Sequence, residues 1–399
     1  MSYFRIFLLT MGTFAIGTDG FMIAGLLPSI ANDVDVSISL AGQLVTIFAL
    51  TYAISSPLLA TITANMPRKT VLILALSIFS LSNFMSACVS SFSLLFLSRM
   101  GAAIGAALYT PTAIGVASSF VSEKERGKAI AFVNIGLTVA IVIGAPFGTW
   151  IGSIISWQAT FFIVSLWGCI GSIGLMLFLP ASIQKGLKIP VVERMLMLKD
   201  GRIVLALVGF AFATIGGFSI YNYVVPAIQT ITSMRSEEIS YILVMVGIGS
   251  VIGNVIGGYS GDKFGNIKII QISFICFGLS MLALSIMMNF SNGNLPIVFV
   301  ILMGTIWGIA AWLFNAPLNS YLISLSNKSP SVVLSLSAST LYIGIAIGAI
   351  VGGFILKYSS IVYLGYIGAI FELLAMAMLF LSYRKASQYK EGVKENSFS

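Results

Sequence analysis

Three charged side chains, Asp19, Arg99 and Glu372, fall inside long apolar runs, while the remaining Asp, Glu, Lys and Arg fall in short intervening segments or the terminal tails. A charge at the centre of a bilayer costs about 3 kcal/mol on insertion scales and more in simulations, so it persists mainly where it faces a cavity or a partner. Asp19 is an acid that could gain and lose a proton. When it is ionised, an Arg99 close by would offset the desolvation of both groups. When it is protonated, Arg99 loses its partner and the local packing must change. By helical rise Asp19 lies about 16 Å below one end of its run and Arg99 about 9 Å below the same end of its own, an offset a long Arg side chain spans if the two runs are neighbours. A static ion pair holding helices together is the alternative for both residues, and Arg99 alone could snorkel to the membrane surface. Glu372, midway along the last run, could be protonated and packed, face lipid or a partner subunit, or assist coupling. With no histidine in the chain, proton chemistry has to run on carboxylates and a histidine-based metal site is excluded.

The elements that carry these groups follow from composition. The 399 residues are 58% hydrophobic and 9% charged, against about 25% charged in a soluble domain. The apolar runs are continuous over helix-spanning lengths rather than alternating, so the chain reads as an all-α integral membrane protein and not a barrel. Twelve spans are predicted, at roughly 6–30, 39–62, 70–89, 93–119, 129–152, 159–180, 203–228, 239–260, 267–288, 295–325, 331–356 and 360–383. The ninth and tenth are divided by the turn-rich stretch from Asn289 to Asn294 and by Pro296. The first span is too long for a signal segment and holds Asp19, so it reads as retained. Cys88, Cys169 and Cys276 lie within apolar runs at no ligand spacing, as small core residues do.

Charge orients the bundle. Arg5, Arg68, Lys69, Lys124, Arg126, Lys128, Lys185, Lys188, Arg194, Lys199, Arg202, Lys263, Lys268, Lys328, Arg384, Lys385, Lys390 and Lys394 all fall on one side, and only Arg235 and Lys357 on the other. The positive-inside rule then places both termini in the cytoplasm of a plasma or inner membrane. The basic segment 181–202 divides the chain into a six-helix bundle over 1–180 and another over 203–383, with a tail at 384–399. Ile143-Gly-Ala-Pro-Phe-Gly148 in span five recurs as Ile347-Gly-Ala-Ile-Val-Gly352 in span eleven, which points to duplicated bundles with a ligand site between them, unless two Gly/Ala-rich helices match by chance.

Five stretches carry a wider likeness. The loop after span eight reads Gly258-Tyr-Ser-Gly-Asp262-Lys263-Phe-Gly265-Asn-Ile-Lys268, and its counterpart after span two keeps the basic end, Arg68 and Lys69, with Ala64 where the acid would stand. Span four reads Arg99-Met-Gly-Ala-Ala103-Ile-Gly105. Span five holds Gly136, Gly144-Ala-Pro146-Phe-Gly148 and Gly152, followed by Trp157-Gln-Ala-Thr-Phe161. Span one reads Gly17-Thr-Asp19-Gly-Phe-Met-Ile-Ala-Gly25-Leu-Leu-Pro28. The second half reads Tyr221-Asn-Tyr223-Val-Val-Pro226, then Trp307 to Trp312, Pro317 and Tyr321. Together these resemble the major facilitator superfamily, in its twelve-span drug:proton antiporter branch, and the second half looks like bacterial purine-efflux and arabinose-efflux-permease-like members. The resemblance covers essentially the whole chain. It implies two six-helix bundles and alternating access, and a bacterial source.

The same resemblance implies roles. Asp19 and Arg99 would couple protons. Gly144, Pro146 and Gly148 would pack and kink span five. Gly258, Asp262 and Gly265, with Arg68 and Lys69, would steady one access state, or form ordinary solvated turns. Tyr221, Asn222, Tyr223, Trp312 and Asn315 could form a flat, partly polar pocket for a nucleobase or other planar solute, or belong to an interfacial aromatic belt. The expected function is export of a small organic solute, purine-like, nucleoside-like or drug-like, in exchange for protons. A sugar or metallophore exporter, or an uptake or facilitated-diffusion carrier, would use the same fold. A membrane sensor or scaffold would carry a soluble effector domain, and the longest polar stretch here is about twenty residues. No phosphate-binding loop and no nucleophile–base pair is present, so neither an ATP-driven pump nor an enzyme is expected. The expected partners are substrate, protons and lipid, with no nucleic acid, no cofactor and no metal, acting as a monomer.

Overall fold

The computed structural model describes residues 2–122, 125–180, 197–290, 293, 295–325 and 330–397. Most of the predicted linker therefore lies outside the described residues, as do Lys124, Lys185, Lys188, Arg194, Lys328, Ser291, Asn292 and Asn294. Twelve helices are long and apolar enough to cross a membrane. They are α1 (Tyr3–Asp33), α2 (Ile38–Ile62), α3 (Arg68–Cys88), α4 (Phe92–Ser119), α5 (Arg126–Ile154), α6 (Trp157–Phe178), α7 (Gly201–Tyr221), α8 (Glu237–Phe264), α9 (Asn266–Phe290), α10 (Ile297–Leu325), α11 (Val333–Tyr358) and α12 (Tyr363–Tyr389).

Backbone polar groups in hydrocarbon must be satisfied within the segment, which is why unbroken apolar runs become helices. Their starts are set by polar punctuation. Ser91 and Ser156 accept from the amides of Leu94 and Ala159 at α4 and α6. Asp200 caps α7 and accepts from the backbone and side chain of Arg202, whose guanidinium holds the Asp200 carboxyl below its ordinary pKa. Gly265 closes the turn between α8 and α9 at φ +94°, a conformation only glycine adopts without strain.

Four spans differ from uniform helices. α2 breaks at Gly42, α10 breaks at Phe314, and α7 is followed by a separate helix, Val224–Ile231, after Asn222 and Tyr223. α5 widens into a π-turn at Ala140–Gly144 just before Pro146, so the expected proline bend takes the form of a local unwinding. The C-terminal segment continues α12 as helix through Ser397.

The two halves repeat one pairing pattern. α1 packs on α5 and α6 as α7 packs on α11 and α12, and α3 lies against α4 and α6 as α9 lies against α10 and α12. The halves meet where α2 packs on α11 and α5 on α8. The α2–α11 seam is zipped from the end bearing residues 33–42. Ser39 Oγ donates to Gly353 O at 2.7 Å, Thr46 Oγ1 to Ala346 O at 3.5 Å, and the rings of Tyr52 and Tyr342 stack with centroids 3.6 Å apart. α8 meets α5 mainly through Ala140–Ile154. These α2–α11 contacts therefore run from the end bearing residues 33–42 as far as Tyr52 and Tyr342.

Candidate functional site

Arg99 Nη1 and Asp19 Oδ1 lie 2.5 Å apart, with both side chains fully buried. The offset expected from helical rise is thus bridged by the Arg side chain, which turns inward to α1 rather than snorkelling to a helix end. Phe48 and Phe161 flank the guanidinium, with ring centroids 4.5 and 5.5 Å from its carbon, a cation–π setting that partly replaces water. Asp19 Oδ2, Arg99 Nε and Arg99 Nη2 have no hydrogen-bond partner among the described residues. The pair makes one contact where a fork-to-fork geometry would make two.

Glycines of α5 fix the helix that carries Asp19. A Cβ at Gly144 would collide with the side chain of Thr18, and one at Gly148 would stand 2.9 Å from Met22 Cβ. Gly136 and Gly152 meet Thr13 and Leu26 in the same way. Small residues let backbones approach closely in membranes, so the span-five motif clamps α1 on both sides of Asp19. The second half repeats the arrangement. Gly348 and Gly352 of α11, the counterparts of Gly144 and Gly148 in the internal repeat, abut Phe218 and Ser219 of α7.

A cavity of about 580 Å³, partly open to solvent, lies at the seam and reaches α1 at Phe21, two residues beyond Asp19. Phe21 and Ile141 line it from the first half, and Phe210, Phe218, Tyr221, Phe277, Trp307, Trp312 and Asn315 from the second. Tyr221 and Trp307 stack in parallel at 6.1 Å, with Phe21 edge-on to Tyr221 at 6.2 Å. The Tyr221 hydroxyl donates to Phe21 O at 3.4 Å, two residues beyond Asp19. Polar groups are sparse. Thr214, Ser250 and Asn315 reach the wall, and Trp307 Nε1 has no partner among the described residues. No charged side chain lines it. A second, apolar cavity of about 560 Å³ lies on the other side of Tyr221 and Trp307.

Of the pocket residues expected from sequence, Tyr221, Trp312 and Asn315 are brought together on this wall. Asn222 and Tyr223 are not. Asn222 is buried, and Tyr223 packs into the seam, its hydroxyl donating to Ala349 O at 2.9 Å and its ring filling space left by Gly42, Gly352 and Gly353. Asp262 stands exposed in the last turn of α8, with no ion pair among the described residues, and Gly258 packs near Ala316. Arg68 begins α3, and Lys69 Nζ donates to Leu179 O at 2.6 Å, capping the end of α6. Glu372 is 2% exposed and packs inside the second bundle, not against lipid.

Sequence reasoning missed four side chains. Phe48, Tyr52 and Tyr342 surround or face the ion pair, and the only signal was the i, i+4 spacing of Phe48 and Tyr52. Asp33 accepts from Trp157 Nε1 at 2.9 Å and Gln158 Nε2 at 2.8 Å, so Gln158 ties α6 to the end of α1.

Comparison with known proteins agrees with this geometry. The profile described as Major Facilitator Superfamily matches residues 9–329 and 207–398. The MFS-type transporter YbcL of Bacillus subtilis (strain 168) is 28% identical over 392 residues, covering 98% of each chain. The inner membrane transport protein YdhP of Escherichia coli (strain K12) is 30% identical over 382 residues, covering 94% of this chain and 95% of its own. Among solved structures, a bacterial homologue of the human lysosomal transporter Spinster, in an inward-facing and unoccupied conformation, superposes with a TM-score of 0.76 at 18% identity, covering 96% of this chain and 97% of its own.

Proposed function

This chain belongs to the Major Facilitator Superfamily of membrane transporters, and on that premise we propose that it exports a small, uncharged, planar organic solute in exchange for protons. It does so by alternating access across a bacterial cell membrane. The observation that carries the reading is the fully buried Asp19–Arg99 pair in a bundle whose central cavity is aromatic and lined by no charged side chain among the described residues.

With both termini in the cytoplasm, the orientation the one-sided Lys/Arg distribution favours, the seam contacts from Ser39 to Tyr52 lie towards the outside, and the cavity takes substrate from the inside. Asp19 paired with Arg99 is then the deprotonated carrier, ready to take substrate from the cytoplasm. Parallel rings at Tyr221 and Trp307 offer stacking surfaces, and Asn315 and Trp307 Nε1 offer an amide and a free N–H donor to a heterocycle edge. Substrate on Tyr221 presses on α1 at Phe21, so occupancy and the charge of Asp19 are linked through one short stretch of helix. After reorientation, a proton from outside would neutralise Asp19, free Arg99 and return the carrier.

Everted membrane vesicles test this directly. A labelled purine base and a planar dye serve as probes, with and without an imposed inside-acid gradient. Accumulation that collapses when the gradient is dissipated supports the reading. Equilibration without accumulation assigns facilitated diffusion instead, and loss of preloaded probe driven by the same gradient assigns uptake.

A further inference from the structure

Glu372 sits in the middle of α12, and neither carboxyl oxygen has a hydrogen-bond partner among the described residues. Two glycines make the room for it. A Cβ on Gly216 of α7 would stand 3.5 Å from Glu372 Oε1, and one on Gly278 of α9 would stand 3.4 Å from Glu372 Cβ. Their sequence neighbours Gly217 and Phe277 line the central cavity. There the Phe277 ring packs on Gly217, where a Cβ would come within 2.9 Å of its Cζ. One layer of helix therefore separates this carboxyl from the cavity.

No charge faces it. The charged residues of the three helices packed on α12 are Arg202 of α7, Lys268 of α9 and Lys357 of α11, all at helix ends. Arg384 on α12 itself is twelve residues away, about 18 Å by helical rise. Cys276 of α9 is exposed on the far side of its helix, Tyr221 stacks on Trp307, and Tyr342 stacks on Tyr52. Along α12, Tyr366 accepts from Asn289 and Tyr383 is exposed. A bare carboxylate in such a place has nothing to offset its desolvation, so the neutral acid is the form this packing accommodates. A glutamine would fill the same space, so packing alone gives no reason for an acid here.

We propose that Glu372 is a second proton-binding site of the carrier, in the second bundle behind the cavity wall, loaded in the state described here. Asp19 and Glu372 then hold opposite charge states in one conformation, and the carrier has two titrating acids rather than one. Release breaks the carboxyl O–H bond, leaves the electron pair on Glu372, and passes the proton to water in the cavity at Gly217 and Phe277.

Infrared difference spectroscopy on the full chain in lipid needs no substrate and tests this apart from transport. The wild type should show the C=O band of a protonated acid at neutral pH. That band should shift in D2O and disappear at alkaline pH, be missing in Glu372→Gln, and persist in Asp19→Asn. Glu372→Gln should also keep the wild-type Tm or exceed it. No band at neutral pH, a band that neither exchanges nor titrates, a band lost with Asp19→Asn, or a Tm lowered in Glu372→Gln would each overturn the assignment. A titrating Glu372 band in a protein that fails to accumulate probe would retain this site and reject the export reading.

Discussion

Arg99 carries five N–H donors, yet only Nη1 reaches Asp19, and the guanidinium otherwise rests against Phe48 and Phe161. A bidentate, fully satisfied pair would favour a fixed brace, whereas a single contact backed by aromatic faces can part without stranding every donor. Removing one partner still strands the other. Arg99→Ala should leave a buried Asp19 uncompensated at a cost of about 3–5 kcal/mol, read as a lowered Tm in detergent. Asp19→Asn should also lower the Tm, because it leaves the Arg99 guanidinium, which cannot lose its proton, buried without a counter-charge; a Tm unchanged in both variants would contradict the pairing. The two charges were legible in the sequence because a charge in an apolar run is rare. Tyr223 was not, because only the fold brings Gly42, Gly352 and Gly353 together to clear a slot for its ring. Tyr52 and Tyr342 were hidden for the same reason, since nothing in either span marks a residue that waits for a ring 290 positions away.

At the scale of elements, the glycines of α5 matter through what they touch. Gly144 and Gly148 bear on Thr18 and Met22, on either side of Asp19, across the π-turn at Ala140–Gly144. Gly148→Leu should overpack this contact, cost about 1–3 kcal/mol and reduce gradient-driven transport, while Gly20→Ala, where a Cβ meets nothing, should leave Tm unchanged. Equal losses in both variants would show that the α1–α5 approach is not special. Span number and position were readable from hydropathy and charge, since the membrane dictates both. The breaks at Gly42, Phe314 and Asn222–Tyr223 were not readable, because tertiary contacts impose them on sequences that remain apolar throughout.

Across the whole molecule, the seam is zipped from Ser39–Gly353 to Tyr52–Tyr342, and the proposed orientation, with the Lys/Arg-rich end in the cytoplasm, can be tested by labelling. Single cysteines on a background lacking Cys88, Cys169 and Cys276, labelled with an impermeant reagent on intact cells, should react at Asp35 and stay silent at Lys188. The opposite pattern would invert the carrier. The repeat of Gly144 and Gly148 as Gly348 and Gly352 announced duplicated bundles in the sequence, but where the two bundles meet is a property of inter-bundle contacts that no local pattern encodes. The central claim, that Asp19 carries the proton that drives export, is tested most directly with Asp19→Asn in everted vesicles alongside the wild type. The account predicts that this variant still exchanges labelled probe for unlabelled probe at equal concentrations, yet accumulates none under an inside-acid gradient. Accumulation by Asp19→Asn with the wild-type pH dependence would contradict it.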